Sequence, residues 1–386
     1  MHPTDSVEAN ALLGMPAAAF LRRLWHRHAH LVRQAIPGFS GFLDRAAMFR
    51  LALRDDVESR LVRRDGRRWE LHHGPFRRKD LAALPERNWT LLIQGVNLHL
   101  PEGAELIRRF DFVSHARLDD LMVSYAVPGG GVGPHFDSYD VFLLQGPGRR
   151  RWCISAQDDL ELRPNFPLKI LRKFHTEARW TLEAGDMLYL PPRYAHDGVA
   201  IDECLTYSIG FRAPAFQEFA QEFLMRLSEH LDLPGRYADP SPGVTRTPGR
   251  IPVRLVDATQ GALKRIRWNR RDVEECLGCY LTDPKPSVFF SPRESPLPRA
   301  SLARRMRDED IRLHRKSQML YSSRAVFLNG EVYRFPRNLP AWLCTLSDRR
   351  HVRIGAPSST DVDLVREWHA SGFVALSNDT EDPEDG

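Results

Sequence analysis

Between residues 128 and 137 the chain reads Pro128-Gly129-Gly130-Gly131-Val132-Gly133-Pro134-His135-Phe136-Asp137. Glycine and proline interrupt the backbone here, between two strand-like runs at 121–127 and 141–145. Further runs of the same kind lie at 89–96, 151–154, 187–190 and 205–211. They are separated by Gly146-Pro147-Gly148, Ala184-Gly185-Asp186 and Pro191-Pro192. Many short strands with Gly/Pro punctuation predict a sandwich or barrel rather than a parallel α/β sheet. A double-stranded β-helix, or jelly roll, is one such solution.

On either side the pattern changes. Upstream, residues 17–30 predict a helix around Phe20, Leu21, Leu24 and Trp25, followed by a short strand at Leu31-Val32. Residues 41–62 predict another helix and a strand. Asp65-Gly66 has the chemistry of a tight hairpin, with Trp69-Glu70-Leu71 as its return strand. Downstream of Pro214, apolar residues at 216, 219, 223, 224, 227 and 231 recur with a helical period. A second helical region is expected over 252–280. Residues 284–298 hold five prolines, the composition of a linker or an extended covering segment. Asn329-Gly330 within 325–335 signals a hairpin, 361–369 a helix and 373–376 a strand, which together suggest a winged-helix-like module. The acidic end, 378–386, is expected to be disordered.

The domains so expected are a catalytic β-domain at 1–214, a helical region at 215–283, a linker at 284–298, a winged-helix-like α+β domain at 299–377 and the tail at 378–386. The chain has 386 residues, 42% hydrophobic and 27% charged, as in soluble globular proteins. No apolar run is long enough to span a membrane, and no basic stretch followed by an apolar core opens the chain. Five scattered cysteines fit a reducing cytoplasm. The net charge of +5 permits an anionic partner. Of the 55 basic residues only six are lysine, so the excess reflects an arginine-rich composition more than a nucleic-acid footprint. The basic run at 246–271 reads as a solvated helix face, with RNA contact left open.

The chemistry sits at the end of the glycine-rich stretch. His135 and Asp137 are two positions apart and would share a face on a strand. A third candidate, His196, closes Leu190-Pro191-Pro192-Arg193-Tyr194-Ala195-His196. The 58 residues between Asp137 and His196 are enough for several strands to bring the two ends together. Two imidazoles and one carboxylate are the facial ligand set of non-haem Fe(II) oxygenases. Three protein ligands occupy one face of an octahedron and leave positions for a bidentate oxo acid and for dioxygen. A His-x-Asp pair alone arises by chance in a chain with 15 histidines; the glycine-rich approach and the downstream histidine add weight. Next comes Arg149-Arg150-Arg151-Trp152. An arginine inside a barrel is costly unless an anion meets it, and the distal carboxylate of 2-oxoglutarate matches it in bidentate geometry. Arg150 and Trp152 would share one strand face, Arg149 and Arg151 the other. Cys276 and Cys279 have no second pair at zinc-site spacing and read as packing residues.

At these residues the sequence resembles the JmjC-type ribosomal oxygenases, within them the bacterial ribosomal-protein arginine hydroxylases. The resemblance is carried by residues 59–62, 73–76, 119–122, 128–137, 139–152, 191–196 and 207–214, with Tyr237, Asp239 and Pro240 beyond. It implies a cupin-like JmjC jelly roll, a helical dimerisation region and a C-terminal winged helix. His135, Asp137 and His196 would be the iron ligands. Arg150, fifteen positions after the first ligand, would bind the oxoglutarate tail, with Ser124 adding a hydroxyl contact. The implied reaction consumes Fe(II)-bound 2-oxoglutarate and O2 and hydroxylates an arginine of a large-subunit ribosomal protein, in a cytoplasmic homodimer. Asp119, Asp120, Tyr139 and Asp140 are the candidates for recognising the guanidinium. Two other readings compete: the same chemistry on another residue (histidyl hydroxylation or demethylation), and a non-enzymatic cupin and winged-helix regulator that binds nucleic acid.

Overall fold

The computed structural model describes residues 3–66, 68–239 and 243–379. Eleven strands build the N-terminal part: β1 His30–Val32, β2 Ser59–Asp65, β3 Arg68–His73, β4 Trp89–Ile93, β5 Leu118–Ala126, β6 Val141–Gln145, β7 Arg150–Ser155, β8 Ala178–Leu182, β9 Met187–Leu190, β10 Ala195–Ala200 and β11 Cys204–Phe211. Six helices accompany them: α1 Pro3–Leu13, α2 Ala17–Arg23, α3 Arg45–Ala52, α4 Arg78–Ala82, α5 Val96–His99 and α6 Pro101–Arg108. An eight-stranded sheet runs β1-β9-β6-β11-β5-β4-β2-β3, and a three-stranded sheet runs β10-β7-β8. Their pairings are all antiparallel.

Alternation along the strands separates two cores. Phe142 and Leu144 of β6, Leu121, Val123 and Tyr125 of β5, and Tyr207, Ile209 and Phe211 of β11 face one way, where they pack with Leu12, Phe20, Met48 and Leu106 from the helices and with Phe110 just after α6. Val141, Leu143, Leu188 and Leu190 face the other way and meet Trp152, Ile154 and Leu182 of the small sheet. The large sheet is thus covered by helices on one side and by the small sheet on the other. The space between the sheets is lined by Met122 and Ser124 of β5, by Thr206 and Ser208, which pair with Ser124 and Met122, and by Arg150, Trp152 and His196.

The rest runs, in chain order, α7 Phe216–Glu229, α8 Val253–Leu263, α9 Arg270–Thr282, α10 Arg299–Asp308, β12 Asp310–Leu313, β13 Met319–Tyr321, β14 Ala325–Leu328, β15 Glu331–Arg334, α11 Ala341–Arg349, β16 His351–Arg353, α12 Ser359–Ala370 and β17 Val374–Leu376. The chain forms two compact units. One holds residues 1–213, 284–317 and 349–386; the other holds 214–283 and 318–348. Within the second unit, the β14–β15 hairpin, turned by Asn329-Gly330, packs on α9: Cys279 meets Ala325 and Phe327, and Arg334 pairs with Glu275 at 2.6 Å.

Several sequence expectations shift. The helix expected over 17–30 ends at Arg23, because His26 takes a left-handed backbone (φ 61°) and donates its N–H to the Tyr189 hydroxyl at 2.9 Å. The strand expected over 89–96 stops at Ile93; Gly95 turns the chain into α5. The acidic tail begins in ordered structure, since Asp379 pairs with Arg293 at 2.8 Å and Arg305 at 2.9 Å. Residues 380–386 lie outside the described residues, as do 240–242 of the loop after α7.

Candidate metal centre

His135 and Asp137 do not lie on a continuous strand. His135 forms an isolated antiparallel bridge with His196 of β10. The His135 N–H donates to the His196 carbonyl at 2.9 Å, and the return bond is 2.8 Å. This bridge, rather than strand alternation, sets the two imidazoles side by side, with ring centroids 4.2 Å apart. The glycines upstream permit the approach. Gly133 has φ 80°, a region open to glycine at little cost. A side chain at Gly131 would meet the Gly198 carbonyl of β10 at 2.5 Å. On the other flank the Asp137 carbonyl accepts the Arg193 N–H at 2.7 Å.

One ligand atom each from His135, Asp137 and His196 falls within 4.8 Å of the others. His196 Nε2 lies 3.6 Å from Asp137 Oδ2. Each imidazole is oriented from behind. Nδ1 of His135 lies 2.9 Å from the Gly133 carbonyl, and Nδ1 of His196 lies 2.9 Å from the Tyr194 carbonyl. A carbonyl only accepts, so both Nδ1 atoms carry the proton and both Nε2 lone pairs face the third ligand. Burial, then the neighbouring His135, push His196 down to about 4, so its imidazole is neutral at physiological pH. Two imidazoles oriented through Nδ1 and a carboxylate, gathered at one point, fit a divalent iron.

The same inter-sheet space holds Arg150, 4% exposed. Its Nη1 donates to Ser124 Oγ at 3.0 Å. Its Nε and Nη2 are buried with no hydrogen-bond partner among the described residues. A buried guanidinium with two unpartnered nitrogens is costly; a carboxylate ligand would engage both. Trp152 stands between the two features, its ring centroid 5.8 Å from the Arg150 guanidinium and 5.9 Å from the His196 ring. Arg149 instead pairs with Asp202 at 2.7 Å, and Arg151 is exposed.

The four candidate recognition residues separate. Asp140 is fully buried, accepts the Tyr189 hydroxyl at 2.6 Å and pairs with His26 at 3.3 Å and Arg117 at 3.5 Å. That internal network takes it away from any substrate, contrary to the sequence expectation. Asp120 is buried at the head of β5 but close to Tyr139: a β-carbon built on Gly210 would lie 3.9 Å from both Asp120 Oδ1 and Tyr139 Cε2. Tyr139 is 38% exposed. Asp119 pairs with Arg212 at 3.2 Å. Sequence reasoning missed Gln94, whose amide donates to both Asp120 oxygens at 2.9 and 2.8 Å, and Lys285, at 2.8 Å from Asp120 and 3.1 Å from Asp119. Gln94 follows a strand and carried no signal; Lys285 sits in the proline-rich stretch 165 positions away.

Comparison with known proteins gives this arrangement a family. Residues 105–219 match the JmjC domain, and residues 265–375 match the ROXA-like winged helix, which begins before the boundary expected at 299. The ribosomal protein uL16 3-hydroxylase of Escherichia coli K12 is 34% identical over 284 residues, covering 72% of this chain and 74% of that protein. This chain belongs to the JmjC-type, 2-oxoglutarate- and Fe(II)-dependent ribosomal oxygenases. A probable ribosomal oxygenase of Haemophilus influenzae is 39% identical over 199 residues, about half of each chain (50% and 49%). The crystal structure of YcfD, a ribosomal oxygenase from E. coli, superposes with a TM-score of 0.80 at 27% identity, over 95% of this chain and 99% of that one. The YcfD structure in complex with cobalt and 2-oxoglutarate superposes equally well. The ribosomal oxygenase fold therefore extends through the C-terminal winged helix.

Proposed function

We propose that this ribosomal oxygenase hydroxylates an arginine side chain of a large-subunit ribosomal protein of the uL16 type. In this reading His135, Asp137 and His196 hold Fe(II), and Arg150 with Ser124 receives the distal carboxylate of 2-oxoglutarate. When bound, iron and 2-oxoglutarate supply the oxidation, with one oxygen atom of O2 leaving in succinate and the other entering a substrate C–H bond. The chain's own residues bind and position. The Gly133 and Tyr194 carbonyls fix the imidazoles, and the Arg150 guanidinium and the Trp152 ring confine the co-substrate between them. Asp120 offers a carboxylate to a substrate guanidinium, while the Tyr139 ring lines the path of its methylenes. The observation that carries the reading is the buried, half-satisfied Arg150 in the same inter-sheet space as the three-ligand cluster. The carboxylate beside Tyr139 favours a cationic side chain over a neutral imidazole.

A second copy of the chain is the proposed partner of the helical region. Helices α7 and α8 contain no buried residue and expose Leu224, Met225, Val253 and Val256. A ribosomal substrate fits a cytoplasmic location, and no helix among the described residues is long and apolar enough to cross a membrane.

The test is turnover. Iron-loaded protein is incubated with 2-oxoglutarate, O2 and peptides from large-subunit ribosomal proteins, and the products are sequenced by tandem mass spectrometry. The expected result is one added oxygen atom on an arginine, matched by succinate. Oxygen found on a histidine, or loss of a methyl group from lysine, would overturn the arginine reading.

A further inference from the structure

The carboxylate assigned above to the substrate guanidinium is already engaged. Asp120 Oδ2 accepts from Lys285 Nζ at 2.8 Å and from Gln94 Nε2 at 2.8 Å; Oδ1 accepts from Gln94 at 2.9 Å. Both oxygens act as acceptors, and both partners are donors, which describes an ionised carboxylate. A carboxylate has about four lone-pair sites. The sites in use leave Oδ1 with capacity, and Oδ1 and the Tyr139 ring both lie 3.9 Å from where a β-carbon on Gly210 would stand. Lys285 contacts Oδ2 and leaves this capacity on Oδ1 open.

The charges around Asp120 explain what this cation does. Burial, followed by the Asp119 charge next to it, pushes the Asp120 carboxyl above the ordinary range; Lys285 and the Gln94 amide pull against that rise. Lys285 itself is raised by Asp120 and Asp119 despite its burial. The remaining charges nearby are committed elsewhere. Arg212 pairs with Asp119 at 3.2 Å, and Arg60 donates to Gln94 Oε1 at 3.1 Å rather than to Asp120. Tyr139 is neutral, its hydroxyl pushed up by burial and by Asp137, Asp120 and Asp119. Lys285 is thus the cation in direct contact with Asp120 among the described residues. It comes from the proline-rich segment, whose sequence shows no other chemistry.

We infer that Lys285 is a positioning residue for substrate selection, holding Asp120 as an anion with Oδ1 presented to an incoming guanidinium. Without it, a buried carboxyl beside a second carboxylate takes up a proton. A protonated Asp120 loses the charge that distinguishes arginine from a neutral side chain. The inference rests on the arginine reading, and the test separates the two.

Full-length protein loaded with cobalt and 2-oxoglutarate is titrated with an arginine peptide and with the same peptide carrying neutral citrulline. Wild type is expected to prefer arginine, with little change between pH 7 and pH 9. Lys285→Met is expected to bind the arginine peptide at least about tenfold more weakly at pH 7 and to recover most of that loss by pH 9 as Asp120 deprotonates. Lys285→Arg is expected to restore the wild-type profile. Affinity for 2-oxoglutarate, read in the same samples, is expected to stay unchanged in both variants. If Lys285→Met also disturbs 2-oxoglutarate binding, the milder Lys285→Gln carries the same prediction. A Lys285→Met or Lys285→Gln profile that keeps the arginine preference at pH 7 overturns the role of Lys285. Equal loss at both pH values does so too, since it would signal structural damage. No arginine preference in wild type overturns the arginine reading itself.

Discussion

Arg150 shows what a single side chain contributes to this site. Its neighbours in the run, Arg149 and Arg151, have the same chemistry and a different fate: one pairs with Asp202, the other is solvated. Strand alternation could divide the three between two faces but not name the inward one; the family resemblance chose Arg150, and the structure finds it buried with two unpartnered nitrogens. Charge-assisted hydrogen bonds of this kind contribute roughly 1.5–3 kcal/mol each. Arg150→Met is therefore expected to weaken 2-oxoglutarate binding by about 10- to 100-fold, with metal binding intact. Calorimetric titration of cobalt-loaded protein reads this directly, and an unchanged dissociation constant would contradict it. Asp140 teaches the opposite lesson. Next to Tyr139 it looked like a pocket carboxylate, but Tyr189, 49 positions away, and Arg117 hold it inside. Nothing local in the sequence distinguishes a solvent-facing carboxylate from one that meets a distant hydroxyl.

At the scale of elements, strands bounded by Gly/Pro turns were legible because alternation and punctuation are local properties. β10, the strand that carries His196, was not read as a strand. Its residues Ala195–Ala200 include aspartate and glycine, and its pairing is made by β7 and by the His135 bridge rather than by strand propensity. The ligand set was still legible, because spacing and residue type are enough to nominate it. Helix α7 was read from its period and α8 as part of a helical region over 252–280, and the structure adds the exposure of their apolar residues: Phe216 at 93%, Leu224 at 63% and Val253 at 62%. Exposed apolar residues of this kind are what the proposed second copy would cover. Sedimentation velocity at micromolar concentration is expected to give twice the 44.3 kDa chain mass. Leu224→Glu combined with Val256→Glu is expected to give the single-chain mass while 2-oxoglutarate affinity is kept. A wild-type species at the single-chain mass alone would contradict the dimer.

Across the whole molecule, the sheet that carries the site is fixed on one face by the N-terminal helices and faces the small sheet with the other. That leaves a narrow interior in which polar groups are tolerated only when paired. Among the described residues, the buried polar atoms without a partner on the face that also carries His196 are Arg150 Nε and Nη2 and Trp152 Nε1. The chain also returns to this unit late, through residues 284–317, to deliver Lys285. A linear reading left that segment as a linker or an extended covering segment, because long-range return leaves no periodicity to detect. The account stands or falls on the metal centre. Protein reconstituted anaerobically with Fe(II) and freed of excess metal is analysed for iron per chain, with thermal unfolding as the check on folding. One iron per chain is expected for wild type, and near-complete loss for His135→Ala, Asp137→Ala and His196→Ala with folding retained. A full equivalent of iron held by all three variants would contradict it.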